Sequence, residues 1–231
     1  MAKILTIIIP ALNEETTIAD VLQRTLTQEL PAGWEREIIV VNDGSTDRTE
    51  TALAPHLPRI KYLKHETSQG KGAAIHNALR HANGHAVIIQ DADLEYSPSE
   101  IPALVMELER RPDHAAVFGS RNLKPQRQGY RHYVWGVAAL TAATNLLYGS
   151  RLTDTYTCYK LIRADVLKII PLQSRGFEFE AEITAKLLRV GHKIAEVPID
   201  YSPRSFAEGK KINWKDGARG LWTIVKNRFT I

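Results

Sequence analysis

Short runs of hydrophobic residues, each bounded by polar or turn-forming residues, predict β-strands in the first half of the chain. They lie at residues 4–9, 37–41, 60–63, 86–90 and 115–119. Between them, residues 18–26, 71–82 and 99–110 carry hydrophobic side chains at helical spacing. This alternation of strands and helices predicts a mostly parallel sheet with helices on both faces.

The pattern changes after Gly119. Residues 121–131 are basic and rich in glutamine, and residues 132–148 predict a long hydrophobic helix. Further strands are predicted at 160–163 and 193–199, and further helices at 177–190 and 214–229. Because no repeat, low-complexity tract or linker interrupts the chain, we predict a single domain over residues 1–231.

Composition narrows the class of protein. A chain of 231 residues that is 44% hydrophobic and 24% charged can bury a full globular core. The formal net charge of +4 is too small to predict nucleic-acid binding. The single cysteine, Cys158, rules out an internal disulfide, and the start of the chain lacks a signal-peptide pattern. No hydrophobic run is long enough to span a membrane, so we expect a cytoplasmic protein.

Two carboxylates follow directly on the hydrophobic run 86–90. Asp91 and Asp93 flank Ala92, and Glu95 adds a third acidic side chain at an alternate position, where an extended segment would point all three the same way. Oxygen ligands of this kind suit Mg²⁺ or Mn²⁺ and a diphosphate. A solvated turn is the ordinary alternative, but three carboxylates facing one pocket would be costly without a cation.

Other polar side chains stand at or just past the ends of the first two strands. Pro10, Asn13 and Glu14 end the first strand, and Asp43 ends the second. Ligands of parallel sheets bind at the carboxyl ends of strands, so we expect these residues on one rim with the acidic cluster. Asn13 could also cap the next helix, and Ser45 or Asp47 the one after it.

Two basic features are candidate phosphate sites. Lys71 lies between two glycines at a predicted helix start, where backbone N–H groups attract anions, although a glycine turn with a surface lysine is the simpler reading. Arg121, Arg127 and Arg131 lie beside the hydrophobic helix at 132–148. They are either a solvated loop or a phosphate clamp, because arginine matches phosphate with bidentate geometry.

Together these motifs resemble family 2 glycosyltransferases of the GT-A fold, and among them the polyprenyl-phosphate (dolichyl-phosphate) mannosyl- and glucosyltransferase group. The resemblance rests on Ile-Pro-Ala-Leu-Asn-Glu at 9–14, Val-Asn-Asp-Gly-Ser-Thr-Asp at 41–47, Gln-Gly-Lys-Gly at 69–72 and Asp-Ala-Asp-Leu-Glu at 91–95. Later matches are Gly-Ser-Arg at 119–121, Asp-Thr-Tyr-Thr-Cys-Tyr-Lys at 154–160 and the segment 203–212. The resemblance covers nearly the whole chain and does not specify the sugar.

The resemblance implies a Rossmann-like GT-A sheet in which residues 1–119 bind a nucleotide sugar, GDP- or UDP-linked, and residues 120–231 form an acceptor-side half. It implies nucleotide contacts by Pro10, Ala11, Asn13, Glu14, Asp43, Lys71, Asp91 and Ala92. Metal ligands would be Asp91, Asp93 and Glu95, where the group often has glutamine at the last position. The resemblance implies catalytic roles for Asp91, Asp93 and Arg204, and contacts to the acceptor phosphate by Arg121 and Arg131.

The implied reaction is an inverting transfer of a hexose to a polyprenyl phosphate. A phosphate acceptor is already mostly ionised near neutral pH and needs no general base. A saccharide hydroxyl would need one, and Asp154, Glu178 and Glu180 are candidates, unless they belong to an ordinary charged helix face. Two alternatives stay open: a family 2 enzyme with a hydroxyl acceptor, and a non-catalytic sugar-nucleotide-binding subunit of a membrane assembly.

The last predicted helix carries an apolar stripe beside basic residues. The stripe consists of Trp214, Ala218, Leu221, Trp222, Val225 and Phe229. This pattern favours peripheral attachment to the inner face of a membrane, alone or through a partner subunit. Packing on the protein's own core is the alternative. We also expect the basic loop 202–211 to act as a lid over the donor.

Overall fold

A computed structural model describes residues 2–126, 131–204 and 214–230, without the side chains of residues 131 and 132. The predicted strands are present with small shifts of their ends. They are β1 (Lys3–Ala11), β2 (Trp34–Asn42), β3 (Lys61–Lys64), β4 (Ala86–Ile89), β5 (His114–Ser120), β6 (Lys160–Arg163) and β7 (Lys193–Pro198).

The helices follow the predicted pattern as well. They are α1 (Ile18–Thr27), α2 (Thr49–Leu53), α3 (Lys71–Leu79), α4 (Ile101–Arg110), α5 (Arg131–Tyr148), α6 (Ala164–Ile169), α7 (Phe179–Arg189) and α8 (Trp214–Phe229). Sequence patterning missed α2 and α6, which span one or two turns and are too short for a periodic signal.

The strands form a seven-stranded sheet in the order β3-β2-β1-β4-β6-β5-β7. β6 runs antiparallel to both of its neighbours, and the other pairs are parallel. After β1 the chain forms β2 and β3 on one side of that strand, and it then crosses back to form β4 on the other side. Because such crossovers are right-handed, α1 and α3 lie on opposite faces of the sheet. The predicted mostly parallel α/β sheet is confirmed.

The site lies where the strand order reverses, between β1 and β4. β4 is buried along its whole length, as is the centre of β1, so both are fixed by packing on two faces. Ligands of open parallel sheets bind in the crevice where the strand order reverses. The carboxyl ends of β1, β2 and β4 border that crevice.

A second, smaller core joins α5, α7 and α8. Leu140, Ala181 and Ile224, one from each helix, are buried together there. α8 packs through Asp216, Gly220 and Ile224, which are its buried residues. Among the described residues, no helix is long and apolar enough to cross a membrane.

Candidate functional site

A cavity of about 1020 Å³ opens at the carboxyl ends of β1 and β4 and extends between α5 and α8. One end is polar and is lined by the strand ends and the acidic cluster. The other end is apolar and is lined by the two helices. Of the predicted nucleotide-contact residues, those on the cavity wall are Pro10, Ala11, Glu14, Asp43, Lys71, Asp91 and Ala92.

Asn13 does not line this cavity and does not cap α1, whose N-cap is Thr17. Its side-chain oxygen accepts a hydrogen bond from the Thr46 N–H at 2.8 Å, and its own N–H donates to Ser45 Oγ at 2.9 Å. The cap interpretation of Asn13 is therefore wrong, because the residue joins the loops after β1 and β2. Asp47 is not the N-cap of α2 either, since that residue is Arg48, but its carboxylate accepts the N–H of Thr49, the first residue of the helix.

Asp43 organises the segment that leads into α3. Its carboxylate accepts hydrogen bonds from Ser68 Oγ and from the N–H groups of Gln69 and Gly70, all at 2.8–2.9 Å. His65 Nδ1 lies 2.6 Å from the same carboxylate. Four protein partners thus surround the group predicted to bind a nucleobase, and base binding by Asp43 stays a prediction.

The glycines around Lys71 are required by close backbone packing. Gly70 has φ of +100°, and a Cβ there would lie 2.4 Å from the Arg175 carbonyl oxygen. A Cβ on Gly72 would lie 2.2 Å from the Ser174 carbonyl oxygen. The start of α3 is therefore packed against residues 174–175 instead of being an open loop.

Lys71 is an internal counterion within the cavity wall. Its Nζ lies 2.7 Å from Asp91 Oδ1 and 3.2 Å from Glu180 Oε1. Glu180 Oε2 in turn pairs with Nζ of the fully buried Lys160 at 2.6 Å. Burial opposes ionisation of Asp91, but Lys71 outweighs it and holds the pKa of Asp91 below its ordinary value. Negative and positive side chains therefore alternate along the row Asp91–Lys71–Glu180–Lys160. This row holds Asp91, the first aspartate of the pair Asp91 and Asp93, in place.

Asp93 faces Arg204. The guanidinium Nη2 lies 3.0 Å from Asp93 Oδ2, and Nη1 and Nη2 also donate to Glu14 at 2.9 and 3.2 Å. Arg204 therefore bridges the loop after β1 and the acidic cluster after β4. The structure brings together these three predicted site residues, which are distant in sequence.

Glu95 departs from the expected arrangement. Leu94 has φ of +62°, so the segment after β4 turns instead of extending, and the three carboxylates point to different partners. Glu95 Oε2 accepts from the Tyr201 hydroxyl and Oε1 from the Arg204 N–H, both at 2.8 Å. The segment is therefore not extended as expected, although Asp91, Asp93 and Glu95 all line the cavity.

The charge around Asp93 is unbalanced. Burial and the neighbouring carboxylates of Asp91 and Glu95 raise the pKa of Asp93 from 3.8 to about 7, although Arg204 opposes the shift. A divalent cation would relieve this excess of negative charge, and carboxylate oxygens are suitable ligands. Among the described residues, no three His, Cys, Asp or Glu side chains are grouped to hold a metal ion. A cation here would need further oxygen ligands, such as those of a diphosphate.

Arg121 lines the cavity and is held in place by two residues. Its Nε and Nη2 donate to the two oxygens of Asp154 at 2.7 and 2.9 Å, and its guanidinium lies 5.0 Å from the Tyr201 ring centroid. Asp154 is fully buried and does not line the cavity. Arg127 and the side chain of Arg131, also predicted in the basic segment, lie outside the described residues.

The other two candidate bases are also engaged. Glu178 does not line the cavity, and its Oε1 accepts the Gly176 N–H at 3.0 Å. Glu180 does line it, but its oxygens face Lys160 and Lys71. Of the lid predicted at 202–211, residues 205–211 fall outside the part of the chain that the structure describes.

The apolar end of the cavity is built from α5 and α8. α5 contributes Tyr133, Val134, Val137, Ala139 and Leu140, and α8 contributes Trp214, Ala218 and Leu221. Beyond the cavity, the same two helices expose Trp135, Leu146, Trp222 and Phe229 to between 67% and 86%. The predicted stripe on α8 therefore does not pack on the protein's own core.

Sequence reasoning missed several residues of the cavity wall. They are Tyr96, Tyr156, Cys158, Tyr201 and Asp216. Tyr201 was detectable, because it follows the predicted strand at 193–199 and the strand-end rule applies there as it does at Asp91. No local signal marks Tyr156, whose hydroxyl is buried without a hydrogen-bond partner in the described structure and lies against Gly220 of α8.

An α/β sheet of this order, with an acidic rim at its switch point, defines the GT-A class of glycosyltransferase folds. The model of the family described as "Glycosyl transferase family 2" matches residues 6–170, and the chain belongs to this family.

Curated relatives come from distant organisms. An undecaprenyl-phosphate mannosyltransferase of Micrococcus luteus is 31% identical over 223 residues, which are 90% of this chain and 87% of that protein. A dolichyl-phosphate beta-glucosyltransferase of Trichomonas vaginalis is 30% identical, over 86% of this chain and 65% of that protein. A low-salt glycan biosynthesis hexosyltransferase of Haloferax volcanii is 28% identical, over 98% of this chain but 54% of that protein. The chain thus spans about two thirds or less of two of these relatives.

Solved structures share the fold. Glucosyl-3-phosphoglycerate synthase of Mycobacterium tuberculosis in complex with UDP aligns with a TM-score of 0.78 at 20% identity, over 98% of this chain and 80% of that one. The same enzyme with Mn²⁺, UDP and glucosyl-3-phosphoglycerate aligns with a TM-score of 0.75 at 23% identity, over 97% and 80%.

Proposed function

We propose that this protein transfers a hexose from a GDP- or UDP-linked sugar to a polyprenyl phosphate, with inversion at the anomeric carbon and with Mg²⁺ or Mn²⁺ as cofactor. Two of its relatives are named for transfer to dolichyl or undecaprenyl phosphate. The structurally similar synthase was crystallised with UDP and with Mn²⁺. Those names and ligands belong to the relatives, and they support the proposal for this chain.

The observation that carries the proposal is the two-ended cavity. Its polar end holds Asp91, Asp93 and Arg204, which suit a diphosphate and a divalent cation. Its other end is walled by apolar side chains of α5 and α8, which suit a hydrocarbon chain better than a saccharide. Arg121 lies on the cavity wall and suits the phosphate that joins chain and sugar.

At the donor end, Asp93 and Asp91 would hold the cation, which supplies charge stabilisation to the departing nucleoside diphosphate when bound. Arg204 is placed to contribute to the same stabilisation, because its guanidinium already lies beside Asp93 and Glu14. Lys71 keeps Asp91 ionised. Pro10, Ala11 and Glu14 form the wall beside which the nucleoside would lie.

At the acceptor end, Arg121 would orient an ionised phosphate oxygen toward the anomeric carbon. A bond forms between that oxygen and the carbon, while the bond from carbon to the nucleoside diphosphate breaks and the diphosphate leaves with the electron pair. No general base is needed, because the acceptor is already an anion. The engagement of Asp154 by Arg121 and of Glu180 by two lysines favours this acceptor over a hydroxyl.

The test is a transfer assay with radiolabelled UDP-glucose and GDP-mannose, undecaprenyl phosphate and Mn²⁺, read by extraction of labelled lipid into organic solvent. We expect label in lipid and a loss of at least about 10²-fold in turnover for Asp93→Ala. Glu66→Gln, which removes an exposed carboxylate elsewhere, is the matched control.

Two outcomes would contradict the proposal. Label that moves to an alkyl glycoside but never to the lipid phosphate would assign a hydroxyl acceptor. Binding of nucleotide and Mn²⁺ without transfer to any acceptor would instead assign a non-catalytic sugar-nucleotide-binding subunit.

We further propose that α5 and α8 attach the protein to the cytoplasmic face of a membrane. α8 exposes Trp214, Trp222 and Phe229 to 77%, 67% and 74% beside the basic residues Lys215, Arg219, Lys226 and Arg228. Aromatic and basic side chains together suit the headgroup boundary of anionic lipids. This surface continues from the apolar end of the cavity, so a lipid acceptor could enter without leaving the bilayer.

Co-sedimentation with vesicles containing phosphatidylglycerol tests this attachment. We expect binding that weakens with salt, because part of the attraction is screened, and a clear loss for Trp222→Ser with Phe229→Ser. Ile169→Ser is the matched control, since this residue is 72% exposed on α6, which begins beside the amino end of β4, away from the rim that holds the site. Equal sedimentation of both variants, or none by the wild type at low salt, would contradict direct attachment.

A further inference from the structure

Two polar side chains reach Asp43 from behind the cavity wall. His65 Nδ1 lies 2.6 Å from Asp43 Oδ1, and the amide nitrogen of Asn77 lies 3.0 Å from His65 Nε2. His65 and Asp43 are both buried. Asp43 lines the cavity, whereas His65 and Asn77 do not. Any effect of His65 or Asn77 on a ligand in the cavity must therefore pass through Asp43.

The partners of His65 determine which ring nitrogen carries its proton. The amide nitrogen of Asn77 can only donate, so Nε2 accepts and the proton of the neutral ring lies on Nδ1. If the Asn77 amide turns over, its oxygen faces Nε2 and accepts a proton from the ring. Nδ1 keeps its proton in that arrangement as well, because its lone pair would otherwise face the Asp43 carboxylate. In both arrangements His65 therefore donates to Asp43.

One of the four donors to Asp43 can give way to a ligand. Two of them are the backbone N–H groups of Gln69 and Gly70, and the third is the buried His65. The fourth is Ser68 Oγ, which lies 2.8 Å from Oδ2. Ser68 lines the cavity beside Asp43, and its hydroxyl can rotate away about a single bond. An N–H group of a ligand can therefore replace Ser68 at Oδ2, while the other three donors hold the carboxylate in place.

We infer that His65, oriented by Asn77, is a positioning residue for donor selection, because it holds Asp43 as an acceptor for the ring N–H of an oxo base. This rests on the proposed function for the nucleotide sugar donor. Uracil and guanine carry a hydrogen on the ring nitrogen of their pairing edge, whereas cytosine and adenine present a lone pair there. A fixed acceptor attracts the first pair of bases and repels the second. The site should therefore select UDP over CDP and GDP over ADP.

Isothermal titration calorimetry with UDP, GDP, CDP and ADP, all with Mn²⁺ present, measures this selection. His65→Leu should weaken the tighter of UDP and GDP by about tenfold, as expected for a lost hydrogen bond to a charged group, and leave CDP and ADP within about twofold. His65→Asn should stay within about threefold of wild type, because its amide nitrogen lies as many bonds from Cα as Nδ1 and still donates. His81→Leu, at an exposed histidine, is the matched control and should change no affinity.

Two further measurements test the arrangement around Asp43. Ser68→Ala should bind UDP or GDP as tightly as wild type or more tightly, since it removes the donor that competes with the base. ¹⁵N NMR of histidine-labelled protein should show a proton on Nδ1 of His65, whose signals are assigned by their loss in His65→Asn. An Nδ1 without a proton would overturn the inference, and so would a Ser68→Ala variant that binds as weakly as His65→Leu.

A purely structural role for His65 gives a different result. His65→Leu would then weaken all four diphosphates alike, or none of them in a variant that circular dichroism shows to be folded, and either result would overturn the inference. A His65→Asn variant as weak as His65→Leu would overturn it too. Wild-type protein that binds none of the four would contradict the proposed donor and this inference with it. A failure of transfer to undecaprenyl phosphate bears on the proposed acceptor alone, because the titrations contain no lipid.

Discussion

Asp93→Asn should stabilise the metal-free protein above neutral pH, although it removes a partner of Arg204. The pKa of Asp93 is raised from 3.8 to about 7, by burial first and then by Asp91 and Glu95. Between these two values the folded protein binds a proton that the unfolded chain has released. Stability conferred by the protonated group therefore falls as the pH rises toward 7 and stays low above it.

The magnitude follows from the size of the shift. Asparagine cannot ionise, so the variant escapes this loss. From about pH 5 to pH 7 the interval covers roughly two units, and at 1.36 kcal/mol per unit the variant should gain about 2.7 kcal/mol relative to wild type. Taking the difference between two pH values cancels effects of the substitution that do not depend on pH, and the attraction of Arg204 for ionised Asp93 is already included in the pKa of about 7.

Urea unfolding of both proteins in chelator, at about pH 5 and about pH 8, measures this difference. Excess Mn²⁺ at the higher pH should stabilise the wild type and narrow the gap. Asp113→Asn is a control, because Lys193 and His114 hold the pKa of Asp113 below its ordinary value, so this carboxyl is ionised in the folded and in the unfolded chain at both pH values. That variant should therefore show the pH dependence of the wild type over this range. Equal pH dependence of wild type and Asp93→Asn would refute the reasoning.

Two further predictions concern packing behind the cavity. Lys160→Met leaves Lys71 as the remaining cation beside buried Glu180 among the described residues, and it should cost about 3–5 kcal/mol in urea unfolding, far more than Lys193→Met at an exposed pair. Similar costs for the two variants would contradict this prediction. Gly220→Ala places a Cβ against the Tyr156 hydroxyl and should cost about 1–3 kcal/mol of unfolding free energy. Gly217→Ala on the same helix meets nothing within 4 Å and should be neutral or stabilising, so equal melting temperatures of the two variants would contradict this prediction.

The sequence predicted the strands and long helices because each hydrophobic run or periodic face corresponds to a buried surface. The strand ends of β1, β2 and β4 then placed Glu14, Asp43 and Asp93 on one rim by topology alone. The direction of β6 was not predictable in this way. The four-residue strand Lys-Leu-Ile-Arg carries no information about whether the chain runs toward the rim or away from it.

The pairing of side chains was the other feature that could not be predicted from the sequence. Arg121 pairs with Asp154 and Lys160 with Glu180, across gaps in sequence that no periodicity reports. The turn at Leu94 was also hidden, because leucine rarely takes a positive φ and its side chain gave no sign of one. That turn gives the three carboxylates different protein partners, although all three residues line the cavity.

The reversed strand β6 has a consequence for how this site can be altered. Because β6 runs against its neighbours, the segment 154–160 arrives at the rim that β4 leaves. The wall near Asp91 thus includes Tyr156 and Cys158 from an incoming segment, tied at its start to Arg121 through Asp154. Insertions or deletions at 149–153 would shift this segment and with it Lys160, which belongs to the charged row that fixes Asp91. The connection before β6 therefore couples the wall at Tyr156 to the acidic rim, so a change in its length would alter both together.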